Sequence, residues 1–341
     1  MRYSGNIVKR LQRGLTAAVA AMALLCLYFG GAFGAAAAEV RVCLGGMPAG
    51  FTLGMGGAQV VGICEILTAE GTVCPARDAG IGVGDVIVRF GGMDIRTAEE
   101  LDGALARCGG KPSGIVVKDE NGREEKNIQP AKDMASGKYK LGILIRDSLS
   151  GIGTVTYIDP QTRHFGSLGH AVAGEDGALM PAQGGSMYQC SIVGVARGER
   201  GRAGELKGLF LGERCIGRAE KNCAEGIFGT LENFDIGGLP CLPVSEAAKP
   251  GHASIYTTID GAAPCEYSVD IVKVDAHNAK NKNFVLKVTD ARLLEETGGI
   301  VQGMSGSPIV QDGKLVGAVT HVFLNDPARG YGIAIAHMLK N

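Results

Sequence analysis

The polarity of the chain changes character at about residue 40. Arg2, Lys9, Arg10 and Arg13 come first, and residues 15–38 then carry no charge. An uncharged run of this kind is long enough to span a bilayer, which takes roughly 20 residues. It predicts an apolar helix over residues 1–40, either a signal peptide or a membrane anchor, and Ala35, Ala36, Ala37 and Ala38 offer a small-residue cleavage site. Basic residues before the run keep that end in the cytoplasm. The rest of the chain is therefore expected to be exported and tied to the membrane only through this segment.

Beyond residue 40 the apolar positions fall into short runs. Residues 154–158 alternate and are β-branched, the period of a half-buried strand. Similar runs occur at 141–147, 191–195, 209–211, 227–230, 253–258, 269–274, 284–289, 316–323 and 331–335. Residues 97–106 instead carry a helical period, with Thr97 as N-cap and Glu100 three residues on, a capping box. Residues 131–140 are polar and contain a Ser-Gly pair, which reads as a linker. The pattern predicts a first globular unit over 41–130 and a second over 141–341. The fold is mainly β, and the second unit is a barrel or sandwich of many short strands with glycine turns.

Composition narrows this picture. At 341 residues the chain has room for two domains and an N-terminal extra. A net charge of −1 gives no electrostatic case for nucleic acid. Gly 54 and Trp 0 suit a turn-rich β protein. Cys26 lies in the apolar run, leaving nine cysteines, an odd number, with no C-x-x-C pair. Buried thiols are the simpler reading; export permits disulfides, but no pair follows from spacing. No ligand-spaced His/Cys cluster appears, so no metal and no cofactor is expected.

Candidate chemistry concentrates in residues 299–310, where a tight glycine turn is entered and left by apolar residues. A nucleophilic serine needs its hydroxyl on a turn, small neighbours, and backbone N–H groups aimed at the oxyanion. Ser305 lies between Gly303 and Gly306, with the N–H groups of Gly303 and Ser305 as oxyanion donors; Ser307 is the weaker candidate. A general base must accompany it. His170, between Gly169 and Ala171 at a strand end, is the best placed of the six histidines, and His321 is read as structural or supporting. A carboxylate should hold the imidazole tautomer. Asp176, Asp235, Asp260, Asp270, Asp275 and Asp290 all remain candidates on chemistry alone.

Two resemblances add to this. Gly50, Phe51, Thr52 and Leu53 resemble the carboxylate-binding loop of PDZ domains, and residues 75–92 resemble the bacterial PDZ signature of short helix, Ala-Gly turn, Gly-Asp turn and strand. That implies a PDZ domain binding a peptide C-terminus, or the chain's own tail, by strand addition. The segment from Gly303 to Pro308 resembles the nucleophile motif of chymotrypsin-like proteases. Together with residues 141–159, 165–172 and 296–332, it is similar to the SpoIVB-type serine peptidase family of endospore-forming bacteria, in which anchor, PDZ and peptidase follow in this order.

The family resemblance implies a chymotrypsin-like β-barrel peptidase domain with His170, Asp290 and Ser305 as its triad. It implies cleavage of a membrane-associated regulatory protein that governs an intramembrane protease, leading to late sigma factor activation. It also implies self-cleavage, and a location between forespore and mother-cell membranes. The rivals are a non-catalytic PDZ tether and an HtrA-like quality-control protease. Domain order speaks against the HtrA reading, and the intact His170 and Ser305 motifs speak against the tether.

Overall fold

The computed structural model describes residues 39–119, 122–174, 179–180, 185–278 and 280–341. The predicted N-terminal helix and Asp176 lie outside these residues. Among the described residues no helix is long and apolar enough to cross a membrane.

The chain runs from β1 (Arg41–Leu44) and β2 (Pro48–Ile63) through β3 (Ile66–Thr68), β4 (Gly71–Val73), α1 (Pro75–Asp78), β5 (Val86–Phe90) and β6 (Met93–Asp94) to α2 (Ala98–Cys108). Then come β7 (Ser113–Asp119), β8 (Gly122–Ile128), β9 (Ala131–Lys132), β10 (Tyr139–Lys140), β11 (Ile143–Ile158), β12 (His164–Ser167), β13 (Gly185–Ala196), β14 (Glu205–Cys223), β15 (Gly226–Leu231) and β16 (Cys241–Pro243). The last third holds β17 (Gly251–Thr257), β18 (Cys265–Val274), β19 (Phe284–Val288), α3 (Ala291–Thr297), β20 (Pro308–Gln311), β21 (Lys314–Phe323), β22 (Asp326–Ala334) and α4 (Ile335–Met338).

Two six-stranded antiparallel barrels result. One is closed in the order β17-β18-β19-β22-β21-β20. The other runs β11-β12-β15-β14-β13-β2 and returns on itself because β2 pairs with β13 on one edge and with β11 on the other. Phe51, Leu53, Val155, Phe165, Met187 and Ile227 fill the first barrel, and Ile255, Val269, Phe284, Leu286, Ile309 and Val319 fill the second. Fully burying each such side chain contributes about 1.5–3 kcal/mol. A separate apolar layer of Val42, Leu44, Tyr157, Phe228, Leu315 and Ile333 joins the two barrels.

The expected split into units 41–130 and 141–341 is not how the strands pair. β1 is attached to β11 of the first barrel, and residues 48–54 are part of that barrel, where they pair with residues 148–154. The remaining piece has its own core of Val60, Ile87, Phe90, Leu101, Ile115 and Leu141. It is inserted between two barrel strands. The ladder from Ile63↔Ile143 to Pro48↔Thr154 runs through both parts, with register shifts at Leu144/Ile145 and Arg146/Ser148 where one core gives way to the other.

Half of the capping box forms, and the Glu100 side chain reaches one residue further back than the N-cap. Thr97 Oγ1 accepts from Glu100 N at 3.1 Å, and Glu100 Oε2 accepts from Arg96 N at 2.7 Å. A disulfide joins Cys43 of β1 to its cross-strand partner Cys241 of β16, so the expectation of unpaired thiols fails for this pair. Burial is not what decided it: the two cysteines are brought face to face by the strand register, which links positions 198 residues apart.

Candidate active site

The serine loop sits where the two barrels meet. Gly303 and Gly306 both have φ of +96°, a region that residues with a Cβ rarely adopt. At Gly306 a Cβ would lie 2.0 Å from Thr154 O. First-barrel hydroxyls clamp the loop: Thr154 Oγ1 donates to Gly303 O at 2.8 Å, and Thr156 Oγ1 donates to Gly306 O at 2.7 Å. Thr154 N donates to Ser305 O at 3.0 Å, and Gly306 N donates to Val319 O at 2.8 Å.

The two serines are separated by their surroundings. Ser307 is fully buried, and its Oγ donates to Met304 O at 2.6 Å, which closes the turn. Ser305 is half-buried, and its Oγ donates to Thr320 O at 2.7 Å. Neither Gly303 N nor Ser305 N makes a hydrogen bond to any described residue, whereas Gln302, Met304, Gly306 and Ser307 all donate within the fold. Two N–H groups without a partner among the described residues thus flank an accessible hydroxyl, the arrangement an oxyanion cradle requires.

His170 follows β12 after Leu168 and Gly169, whose φ values of 68° and 69° turn the chain out of the first barrel. Gly169 packs against Thr320, the residue whose carbonyl holds Ser305 Oγ. His170 Nδ1 lies 2.9 Å from Ala171 O. A carbonyl can only accept, so Nδ1 carries the proton and Nε2 is left as a base. Burial pushes the His170 pKa down, opposed in part by the Ala171 bond. The ring stands 4.8 Å from that of His321. His321 is exposed as a residue, yet its ring is partly desolvated against His170; that desolvation, with the nearby charges of His170 and Lys282, lowers its pKa to about 4.

Asp290 does not join His170. It is the N-cap of α3, accepting from Arg292 N at 2.9 Å and Leu293 N at 3.2 Å, and its other oxygen faces Ser268 N and the Arg292 guanidinium. Burial acts to raise its pKa, but Arg292 and the backbone N–H groups of Leu293 and Ser268 outweigh that and hold it below the usual carboxylate range. Its carboxylate is consumed by the helix cap, so the expected role of orienting the imidazole is not what this geometry supplies.

Residues 137–339 match the family described as SpoIVB peptidase S55. The chain belongs to that family. It is a serine peptidase of the SpoIVB type. Among solved structures, the inactive form of the Rv3671c protease is 15% identical, covers 55% of this chain and 83% of its own, and has a TM-score of 0.32. The active form of Rv3671c from M. tuberculosis is also 15% identical, covers 57% and 74%, and has a TM-score of 0.32. No curated protein matches.

Other expected site residues of this S55 chain sit elsewhere. Gly50, Phe51, Thr52 and Leu53 lie inside β2, where residues 50–52 pair with both β11 and β13 and Leu53 pairs with β11. A carboxylate loop needs free N–H groups, and this stretch is a two-sided barrel strand, so that expectation does not hold. The backbone with an open edge is instead Ile143, Leu144 and Ile145. They pair with β2 on one side only among the described strands, and α2 touches β11, with Ala98 N donating to Asp147 Oδ2 at 2.8 Å. Thr154, Thr156 and Thr320 also escaped the sequence reading. The one signal was two threonines alternating on a strand that proves buried, where each hydroxyl needs an acceptor. Thr320 Oγ1, beside Gly169, is buried with no partner among the described residues.

Proposed function

We propose that this S55 peptidase is a sporulation-signalling endopeptidase. It cuts a membrane-associated regulator of an intramembrane protease, leads thereby to late sigma factor activation, and cleaves itself. The observation that carries the enzymatic part is the pair of unsatisfied N–H groups on Gly303 and Ser305 beside the half-buried Ser305 hydroxyl. In this reading Ser305 Oγ leaves Thr320 O and turns toward His170 Nε2. It attacks the scissile carbonyl carbon and passes its proton to Nε2. The oxyanion is held by the two N–H groups. The tetrahedral intermediate expels the amine, which takes the proton from His170, and water releases the acyl group by the same route. Ala171 O holds the imidazole tautomer throughout.

The inserted unit is, in this reading, a PDZ-like module that captures a peptide C-terminus or the chain's own tail. The open edge at Ile143, Leu144 and Ile145 and the neighbouring α2 favour that position over residues 50–53. The apolar segment of residues 15–38 supports export and an anchored or released form between the forespore and mother-cell membranes.

The test is cleavage of the anchored full-length chain by wild type beside Ser305→Ala and Ser307→Ala. Wild type and Ser307→Ala should cut, and Ser305→Ala should lose on the order of 10⁴-fold or more of the activity. Equal cutting by all three would remove Ser305 as nucleophile.

A further inference from the structure

Beyond Thr320, β21 leaves its regular ladder. The pairing with β22 shifts between Val319 and Val322 and again between Val322 and Phe323, so Thr320 and His321 step out of register beside Ser305. The face that follows is lined by aromatic rings with cations set over them. Phe323 and Tyr331 lie with ring centroids 4.6 Å apart. Lys282 Nζ stands 4.7 Å from the Tyr331 centroid, and Arg329 Cζ stands 5.7 Å from that of Phe323. His321 heads the strip, against His170, and the charge of Lys282 reaches it.

Neither cation has an ion-pair partner among the described residues, and Arg329 Nε is buried with no hydrogen-bond partner there. Asp326, at the hairpin turn, is the one acidic residue on the β21–β22 hairpin. A guanidinium resting on an aromatic face keeps its edge donors available, and that edge matches a carboxylate. Two aromatic rings tilted by 56° to each other, with cations over them that lack ion-pair partners among the described residues, therefore complement an extended segment that carries negative charge.

We infer that the strip formed by His321, Phe323 and Tyr331, with Lys282 and Arg329 beside it, selects substrates whose segment along β21 places an Asp or Glu side chain within about four residues of the cut bond. This rests on the reading of Ser305 as nucleophile. It goes beyond that reading by naming the chemistry of the substrate.

The test digests an unbiased peptide library with the full-length chain and reads the new termini by mass spectrometry. Asp and Glu should be enriched at one or two positions on one side of the cut. A peptide chosen from the products and its Asp→Asn counterpart are then compared. Wild type should prefer the acidic peptide by roughly tenfold in kcat/KM, the scale of one charge-assisted hydrogen bond. That ratio should collapse toward one in Lys282→Gln/Arg329→Gln, and Arg329→Lys should restore part of it. The wild-type ratio should also shrink as salt rises, which needs no variant to fold. No acidic enrichment, or a ratio unchanged in the double variant and by salt, overturns the inference while leaving the peptidase assignment standing. Cleavage that survives Ser305→Ala overturns both.

Discussion

Ser305 and His170 come from different barrels and are held in different ways. The serine loop is fixed from every side. Thr154 and Thr156 of the first barrel donate to its carbonyls, Ser307 closes its turn, and Val319 pairs with it across the second barrel. Among the described residues the His170 ring has one hydrogen bond, to the carbonyl of the residue after it, and one ring contact, to His321. The Thr320 hydroxyl is buried without a partner among those residues. The difference fits the roles proposed for the two groups. An oxyanion cradle acts only if its dipoles are in place before charge develops, because any reorganisation at that moment costs rate. A general base has to swing between a serine and a leaving amine, so a looser hold is compatible with its task.

Gly306→Ala should break the comparison most severely. Its Cβ would need to sit 2.0 Å from Thr154 O, at a φ of +96°. The rigid side would have to open, so turnover should fall by about 10³ or more, with a lower Tm by calorimetry. An active, undestabilised Gly306→Ala enzyme would show that the loop is not rigid at all. Thr156→Val comes next. It leaves Gly306 O buried without its donor and should cost about 1–3 kcal/mol in denaturant unfolding, with kcat reduced in step. Loss of kcat without loss of stability would mean that the hydroxyl acts on the chemistry directly. Asp290→Ala should cost about 0.5–2 kcal/mol, because it uncaps α3, whose end at Thr297 anchors Gly299 of the serine segment. Asp290→Ser, which retains a cap, should recover both stability and activity. An Asp290→Ser enzyme that is stable but inactive would put the carboxylate back into the proton relay.

The asymmetry also explains what could be read from the sequence. The Ser305 loop is legible because its candidate chemistry is local: two glycines, the proposed nucleophile and its proposed donors lie within four residues. The hydroxyls that clamp it are not. Thr154 and Thr156 fit any β-branched strand, and only the meeting of two barrels gives them acceptors. Asp290 was assigned by motif, although Asp followed by Ala291, Arg292, Leu293 and Leu294 is also an ordinary N-cap pattern. The inserted unit was visible as a β–helix module, but its edges were not. β2 and β11 each pass through two cores, and nothing in their alternation marks where one core ends.

The smallest effect concerns pH, and it tests the loosely held side alone. In the proposed mechanism His170 is a base only when neutral, so activity should be present above its pKa and lost as pH falls through it. Burial lowers that pKa, and the Ala171 carbonyl offsets only part of the shift. The acid limb of kcat/KM, which reports the free enzyme, should therefore fall below the ordinary histidine value of about 6.5. His321, at about 4, stays neutral over that range and adds no charge to His170 until the medium is far more acidic. A carboxylate against Nδ1 would act in the opposite direction, since it favours the imidazolium and raises the pKa. A limb clearly above 6.5 in the wild type would thus mean that the working enzyme holds His170 by a negative charge rather than by a backbone carbonyl, and the contrast between a fixed serine loop and a lightly held base would not describe the active state.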